Sequence, residues 1–295
     1  MHFSTKDILQ PFHTTWLPGN IQAAMLRLDT IHPLVQGNKW FKLKYNLEAA
    51  GNTRIVTFGG AYSNHIVATA AACRLYGLTS VGIIRGEKPA SPGHTLQKAA
   101  ELGMELHYVS RELYSQLKSG GEMMQLMQHL LDQAYVIPEG GHNAEGARGC
   151  EDILKLADTS AFTHILCAVG TGTTLAGLVN AGTGQHITGI SALKGAFSLE
   201  QEVENLLKAP SSQWRLLHDF HEGGYAKHSP ELISFMNDFY RETGIPTDKV
   251  YTGKMALAFR RLAEQSYFPA GSRVLLIHSG GLQGNESLAP GVLCF

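Results

Sequence analysis

His164-Ile165-Leu166-Cys167-Ala168-Val169-Gly170-Thr171-Gly172-Thr173-Thr174-Leu175-Ala176-Gly177 is the stretch that decides the fold. Residues 164–169 form a short apolar run with β-branched members, which is typical of a buried strand. The loop that follows combines glycines with hydroxyl side chains, and a small-residue helix comes next. Backbone N–H groups, hydroxyls and a helix N-terminus together form a cradle for an anion. The stretch therefore predicts one βα unit of a parallel sheet, with a phosphate site at its edge.

The ligand of this loop is predicted to carry a single phosphate. No Lys-Ser or Lys-Thr pair ends the loop, so it is not a P-loop, and its spacing departs from GxGxxG. A dinucleotide site would also need an acidic residue near the end of the next strand, and residues 186–191 offer none. A purely structural glycine-rich turn is the alternative interpretation.

Strands and helices alternate along the whole chain, which is the signature of parallel sheet built from βαβ units. The predicted strands are residues 54–58, 80–84, 105–109, 135–137, 164–169, 186–191, 214–218 and 273–278. The predicted helices are residues 39–50, 64–76, 95–102, 121–133, 144–157, 173–179, 197–207, 230–244 and 253–265. A chain of 295 residues usually divides into two domains, and the segment Pro138–Asn143 is the predicted hinge between them.

Composition excludes several classes of partner. The chain has 24 basic and 25 acidic residues without a charged block, so nucleic acid and membrane surfaces are not expected partners. A small molecule is the expected partner. Only His218 and His221 have a ligand-like spacing and no third ligand is in register, so no metal site is predicted.

A reducing, cytoplasmic location is expected from the cysteines and the N-terminus. The four cysteines are far apart and form no CxxC pair. Residues 1–7 lack an apolar signal core, and no apolar run is long enough to span a bilayer.

A candidate covalent anchor lies in the segment QGNKWFKLKYNL at residues 36–47. Gly37 and Asn38 read as a turn and an N-cap, which places Lys39 in the first turn of a helix. The positive end of the helix dipole favours the neutral amine there, and a neutral lysine amine attacks a carbonyl to form a Schiff base. The alternative is a solvated surface lysine beside Lys42 and Lys44.

A second loop places polar side chains at a sheet edge. The strand at residues 54–58 is followed by Gly59-Gly60-Ala61-Tyr62-Ser63-Asn64-His65 and a helix of small residues. Side chains and free N–H groups can converge there on a ligand. Ordinary N-capping by Ser63 or Asn64 is the alternative. A serine hydrolase is disfavoured because GxSxG is missing.

A Schiff-base lysine, a Ser-Asn loop and a single-phosphate cradle on a two-domain α/β chain together indicate a pyridoxal-phosphate enzyme. The sequence also resembles the family of 1-aminocyclopropane-1-carboxylate deaminases and D-cysteine desulfhydrases over nearly its whole length. The segments that carry the resemblance are residues 28–39, 63–65, 170–174, 250–254 and 278–281.

The resemblance implies a tryptophan-synthase-β-like type II pyridoxal-phosphate fold, in which the cofactor lies between two parallel-sheet domains. Residues 1–38 and 139–295 would form the large domain and residues 39–138 the small inserted one, usually in a homodimer. Lys39 would hold the cofactor aldehyde, Lys42 the phosphate, and Asn64 the phenolic oxygen. The loop residues that would also hold the phosphate are Gly170, Thr171, Gly172, Thr173 and Thr174.

The resemblance also assigns roles around the substrate. Ser63 would lie beside the substrate carboxylate and help proton transfer, and Tyr251 would stack on the pyridine ring. Lys39, Ser63 and Tyr251 are thus the predicted catalytic residues. Thr252 would bind the ring nitrogen, and the predicted substrate-binding residues are Ser63, Asn64, His65 and Ser279.

The same resemblance bears on the choice of reaction. Deaminases of the family carry Glu where this chain has Thr252, Gln at His65, and an aliphatic residue at Ser279. A hydroxyl at position 252 gives a weaker electron sink than a carboxylate, which suits elimination of a good leaving group. The prediction is α,β-elimination from D-cysteine to pyruvate, ammonia and sulfide. Ring-opening deamination of 1-aminocyclopropane-1-carboxylate and a catalytically silent cofactor-binding protein are the alternatives.

Two departures from the family pattern concern the substrate. Phe41 stands where the family usually has Arg, and Ile66-Val67-Ala68 replace a stretch that usually contains Arg-Gln.

Overall fold

The computed structural model describes residues 8–119 and 128–295, which form two sheets flanked by helices. The strands of the larger sheet are Leu9–Phe12 (β1), Gln22–Arg27 (β2), His164–Val169 (β7), His186–Ser191 (β8), Trp214–Leu217 (β9) and Arg273–His278 (β10). Those of the smaller sheet are Arg54–Gly60 (β3), Ser80–Arg85 (β4), Met104–Val109 (β5) and Ala134–Ile137 (β6). The order in the larger sheet is β1-β2-β10-β7-β8-β9, and in the smaller it is β5-β4-β3-β6.

Every strand pairing is parallel except that of β1 with β2, which is antiparallel. These two strands were not predicted from the sequence. The sequence of β2, QAAMLR, has no β-branched residue, and β1 contains Pro11, which a sheet accepts only at its edge. The α/β class and the parallel sheets are confirmed.

Helices follow most strands. They are Asn38–Ala50 (α1), Asn64–Tyr76 (α2), His94–Glu101 (α3), Arg111–Ser119 (α4), Gln128–Leu131 (α5), Ala144–Glu151 (α6), Thr173–Ala181 (α7), Leu199–Glu204 (α8), Pro230–Thr243 (α9) and Thr252–Glu264 (α10). The predicted helix 121–133 lies partly outside the described residues. Helix α4 was not predicted, although Ser110 offers a cap signal, since its hydroxyl accepts the Leu113 N–H.

The central strands of the six-stranded sheet are buried on both faces. Along β7, Ile165 and Cys167 pack in one apolar cluster with α1 and α7, whereas Leu166 packs in a second cluster with α9 and α10. Strand side chains alternate between the two faces, so a strand covered on both sides is continuously apolar, as this one is.

Each sheet draws its strands from one of the two predicted domains. The four-stranded sheet uses only residues 54–137, within the predicted small domain, and the six-stranded sheet uses strands on both sides of that segment. Helix α1 nevertheless packs against α6, which the prediction assigns to the other domain. The domain boundaries themselves stay a prediction. None of the described helices is long and apolar enough to cross a bilayer.

Candidate active site

A cavity of about 910 Å³ lies at the carboxyl ends of strands from both sheets. Its lining includes the residues that follow β3, β7 and β10, among them Ser63, Gly170 and Ser279. Ligands of open α/β sheets bind at this edge, because loops and helix N-termini converge there. A cavity of this size accommodates a cofactor together with a small substrate.

The start of α1 is fixed by a close contact with the loop after β10. A Cβ at Gly37 would lie 1.9 Å from the Ser279 backbone oxygen, and Gly37 has φ +64°, so only glycine fits. The Asn38 N–H donates to the same oxygen at 3.1 Å. Gly37, not Asn38, is the N-cap, which corrects the prediction by one residue. The contact directs Lys39 into the cavity.

The Asn38 side chain connects the lysine with the glycine-rich loop. Its Oδ1 accepts from Lys39 Nζ at 2.7 Å, and its Nδ2 donates to Thr174 Oγ1 at 2.8 Å. Sequence reasoning missed this role, because Asn38 and Thr174 are 136 positions apart and asparagine at a helix start is ordinarily a cap.

The surroundings of Lys39 favour its neutral amine. Burial, followed by the positive charge of Lys42, lowers the pKa of Lys39 from 10.5 to about 7. Lys39 is therefore not a solvated surface lysine, and it can act as a nucleophile near neutral pH.

Lys42 supplies a buried positive charge beside the glycine-rich loop. Its side chain is 5% exposed, and its Nζ donates to the Gly140 carbonyl at 3.0 Å and lies 3.5 Å from Thr171 Oγ1. Within the described residues no carboxylate forms an ion pair with it. A buried ammonium without a counter-ion is costly, so the site fits an anionic group such as phosphate.

Four of the five predicted phosphate-loop residues line the cavity: Gly170, Thr171, Gly172 and Thr174. Gly172 has φ +81°, and a Cβ there would lie 2.8 Å from the Val203 side chain, so the turn requires glycine. Thr173 does not line the cavity. Its hydroxyl forms hydrogen bonds with Thr171 Oγ1 and with His142 Nδ1, each at 3.1 Å, and these bonds stabilise the conformation of the loop.

The loop after β3 brings Ser63, Asn64 and His65 to the wall of the cavity. Ser63 precedes α2, yet its side chain makes no capping hydrogen bond. The capping alternative is therefore wrong for Ser63, which lines the cavity. A Cβ at Gly59 would lie 2.8 Å from Ser63 Oγ, so glycine is needed there to admit the serine.

His65 is almost completely buried beside the two lysines. It is 2% exposed, its Nε2 lies 2.9 Å from Thr57 Oγ1, and its Nδ1 has no partner within the described part of the chain. Burial, and then the charges of Lys39 and Lys42, lower the pKa of His65 to about 3. The ring is therefore neutral at physiological pH.

Tyr251 closes the cavity against the backbone of the glycine-rich loop. A Cβ at Gly170 would meet the Tyr251 ring and hydroxyl at 3.2 Å. Burial raises the pKa of Tyr251 well above 10, and a hydrogen bond to the Tyr225 hydroxyl raises it further. The phenol thus keeps its proton. Tyr225, which sequence reasoning missed, packs edge-on against Tyr251 with 6.2 Å between ring centroids.

Thr252 lies at the start of α10 and is not part of the cavity lining in this structure. Its Oγ1 donates to Asp248 Oδ1 at 2.6 Å and accepts the Asp248 N–H at 2.8 Å. The predicted contact of Thr252 with a ring nitrogen stays a prediction, and its single hydroxyl proton is already bound to Asp248. Sequence reasoning did not single out Asp248.

The two departures from the family pattern lie in the core. Phe41 and Ala68 are each 2% exposed and belong to one apolar cluster. Neither position lines the cavity, whereas Ser279, which is 7% exposed, does. The Phe41 and Ala68 side chains both pack in the core, so they do not contribute to the cavity wall.

One ligand fits both the amine of Lys39 and the charge of Lys42, because pyridoxal phosphate carries an aldehyde and a single phosphate. The class defined by this fold and site is that of fold type II pyridoxal-phosphate enzymes. The chain belongs to the family described as "Pyridoxal-phosphate dependent enzyme", which matches residues 22–280, and within it to the 1-aminocyclopropane-1-carboxylate deaminases and D-cysteine desulfhydrases.

Three relatives illustrate the similarity. A Thermotoga maritima protein named "Putative 1-aminocyclopropane-1-carboxylate deaminase" is 33% identical, with 88% of each chain covered. The Arabidopsis thaliana "Bifunctional D-cysteine desulfhydrase/1-aminocyclopropane-1-carboxylate deaminase, mitochondrial" is 30% identical over 96% of this chain and 78% of that protein. A solved structure of an "ACC deaminase homologue" has a TM-score of 0.78 at 25% identity, covering 94% of this chain and 90% of the other.

Proposed function

We propose that this protein is a pyridoxal-phosphate lyase of a small amino acid that catalyses α,β-elimination from D-cysteine to pyruvate, ammonia and sulfide. The observation that carries the proposal is the Lys39 amine, whose pKa is lowered to about 7, beside Lys42, which forms no ion pair with a carboxylate in the described part of the chain. The bound cofactor supplies an electron sink for charge that develops at the substrate α-carbon.

The residues around the cavity have complementary tasks. Lys42 and the loop at residues 170–174 bind the phosphate, and Asn64 holds the phenolic oxygen. The Ser63 hydroxyl makes no capping hydrogen bond, and it assists proton transfer beside the substrate carboxylate. Tyr251 keeps its proton and donates a hydrogen bond to the Tyr225 hydroxyl at the cavity.

Position 252 supports elimination over ring opening. Thiolate is a good leaving group, so elimination from cysteine needs less charge stabilisation at the ring than opening a cyclopropane does. Thr252 carries no charge, and its hydroxyl is bound to Asp248. His65 and Ser279, both polar and both at the cavity, also favour a substrate with a polar side chain.

Ring-opening deamination of 1-aminocyclopropane-1-carboxylate to 2-oxobutanoate and ammonia is the second candidate. The names of the Thermotoga and Arabidopsis relatives favour it, since both include this activity. The bifunctional name of the Arabidopsis protein also joins both activities in one relative.

A product assay separates the candidates. Purified holoenzyme is incubated with D-cysteine, L-cysteine and 1-aminocyclopropane-1-carboxylate, and sulfide, pyruvate and 2-oxobutanoate are measured. We expect sulfide and pyruvate from D-cysteine in equal amounts and little 2-oxobutanoate. Lys39→Ala is the negative control. Efficient release of 2-oxobutanoate with no sulfide would assign the deaminase activity instead.

We further propose that the enzyme is a cytoplasmic homodimer, as the family resemblance implies. Three of the four cysteines, Cys73, Cys150 and Cys167, are buried and unpaired, which suits a reducing compartment. Light scattering is expected to give twice the chain mass of 32.1 kDa.

A further inference from the structure

The hydrogen bonds around Thr57 determine which nitrogen of His65 carries the proton. Thr57 Oγ1 donates its single proton to the Ile137 carbonyl at 2.8 Å, because a carbonyl oxygen can only accept. The same oxygen lies 2.9 Å from His65 Nε2. Since Thr57 has no second proton, Nε2–H must be the donor of that bond. The neutral ring therefore carries its proton on Nε2 and a lone pair on Nδ1.

The lone pair on His65 Nδ1 is a buried acceptor without a donor in the described chain. The two nearby lysines hydrogen-bond to other acceptors, Lys39 Nζ to Asn38 Oδ1 and Lys42 Nζ to the Gly140 carbonyl, and neither pairs with Nδ1. Leaving a buried acceptor unpaired costs about 1–3 kcal/mol. His65 lines the cavity, so a donor on a bound ligand can remove this cost.

We propose that His65 is a specificity-determining residue whose Nδ1 accepts a hydrogen bond from the side-chain thiol or hydroxyl of the amino-acid substrate. The inference rests on the proposed function, because it concerns the substrate of the same site. The proposed hydrogen bond predicts a preference of the enzyme for amino acids that carry an S–H or O–H group on the β-carbon. Cyclopropane carbons offer no such donor.

The unprotonated Nδ1 can pair only with a hydrogen-bond donor. A substrate carboxylate cannot donate to it, so recognition of that group is left to other atoms of the loop. The pKa of about 3 also makes the imidazole a poor proton acceptor. His65 thus discriminates by hydrogen bonding and does not serve as the general base.

The tautomer is testable without measuring turnover. Nitrogen-15 NMR of histidine-labelled holoenzyme is expected to show His65 with a protonated Nε2 and an unprotonated Nδ1. Thr57→Ser keeps the hydroxyl and is expected to keep this pattern, whereas Thr57→Val removes the acceptor and is expected to change it. A His65 ring protonated on Nδ1 in the native enzyme would overturn the proposal.

The ligand preference is tested with serine and alanine, which differ only in the hydroxyl group. Binding of each, in both enantiomers, is followed by the absorption of the bound cofactor. We expect serine of the preferred enantiomer to bind about 5- to 150-fold more tightly than alanine, which is the range set by pairing one buried acceptor. Serine, but not alanine, is expected to shift the His65 Nδ1 resonance.

The matched variant is His65→Gln. Its amide can still donate to Thr57, but glutamine lacks the ring nitrogen Nδ1, so the preference for serine over alanine is expected to disappear while both amino acids still bind. Equal binding of serine and alanine by native enzyme would overturn the proposal. The proposal would also be overturned if the His65 Nδ1 resonance shifted when cofactor was added but then had the same position with serine as with alanine. Failure to release sulfide from D-cysteine, by contrast, would refute only the proposed reaction.

Discussion

At the scale of single residues, the site derives its reactivity from buried charge. Lys39 and Lys42 are three positions apart on α1, so they lie on the same face of the helix. The ammonium of Lys42 has no carboxylate partner in the described residues, and its field contributes to lowering the pKa of Lys39. Burial lowers the pKa of Lys42 as well, so a bound anion would favour its charged form, while the neutral amine of Lys39 serves carbonyl chemistry.

Capture of the cofactor by apoenzyme should follow the titration of Lys39. A pKa lowered to about 7 means that the amine is protonated below this pH and neutral above it. The rate of covalent attachment should therefore rise with pH to a plateau, with its midpoint near 7 and not near 10.5. Stopped-flow absorption of added pyridoxal phosphate measures this rate. A midpoint above pH 9 would contradict the lowered pKa.

Borohydride reduction of holoenzyme should attach the cofactor to Lys39, and the yellow colour and adduct should be absent from Lys39→Ala. Peptide mapping locates the modified residue. Attachment to Lys42, Lys194 or Lys254 would show that the anchor was misassigned.

Ser63→Ala should lower kcat by about 10²- to 10⁴-fold, the effect typical of removing a positioned acid–base group. Helix α2 should remain intact, because the Ser63 side chain makes no capping hydrogen bond. The measurements are turnover with D-cysteine and the cofactor absorption, which should be unchanged. Ser160→Ala is a control at an exposed serine away from the cavity. A variant with native turnover would remove Ser63 from the reaction.

At the scale of elements, the start of α10 is organised by one carboxylate. Asp248 is fully buried and accepts the backbone N–H groups of Val250, Tyr251 and Thr252 at 2.8–2.9 Å, together with the Thr252 hydroxyl. These are donors that a helix N-terminus would otherwise leave unpaired. Because Tyr251 is one of them, the same carboxylate also fixes the backbone that carries the phenol.

Thr252→Val should destabilise the protein by about 1–3 kcal/mol, because the buried Asp248 N–H loses its acceptor. Thr252→Ser retains the hydroxyl and should stay within about 1 kcal/mol of the native protein. Urea unfolding of the holoenzyme measures both. Equal stability of the Val and native proteins would show that the hydroxyl does not organise this helix start.

Thr252→Glu should increase the yield of 2-oxobutanoate relative to pyruvate, since a carboxylate stabilises a protonated pyridine ring. The added charge would also lie beside Asp248, so the single variant should be less stable than the native protein. Adding Asp248→Asn should relieve that repulsion. A native enzyme that already opens the cyclopropane ring efficiently would contradict the role assigned to position 252.

At the scale of the whole molecule, the cavity joins elements of both sheets around the buried ammonium of Lys42. Lys42→Met should leave apoenzyme as stable as the native apoenzyme, or more so, because it removes a buried ammonium that pairs with no carboxylate among residues 8–119 and 128–295. The melting temperature gained on adding pyridoxal phosphate should shrink, because phosphate binding is lost. Lys44→Met is the matched control, since Lys44 pairs with Asp152 outside the cavity. An undiminished gain in Lys42→Met would contradict the phosphate assignment.

The sequence alone determined the features that depend on neighbours in the chain. Periodicity and composition predicted the βα units, because a strand or helix buries a face that its own residues specify. The glycine-rich loop and the lysine at a helix start could be predicted too, because each is defined by residues that are close together in the chain. Strands β1 and β2 were missed where the pattern is weak, at an edge strand with proline and a strand without β-branched residues.

Only the tertiary structure decided how these parts act together. Asn38 meets Thr174 across 136 positions, and Thr57 meets the Ile137 carbonyl across 80. Such contacts depend on the order of strands in the sheets, which local pattern does not encode. The lowered pKa of Lys39 and the tautomer of His65 follow from such contacts, because burial and hydrogen-bond geometry exist only once distant segments pack together.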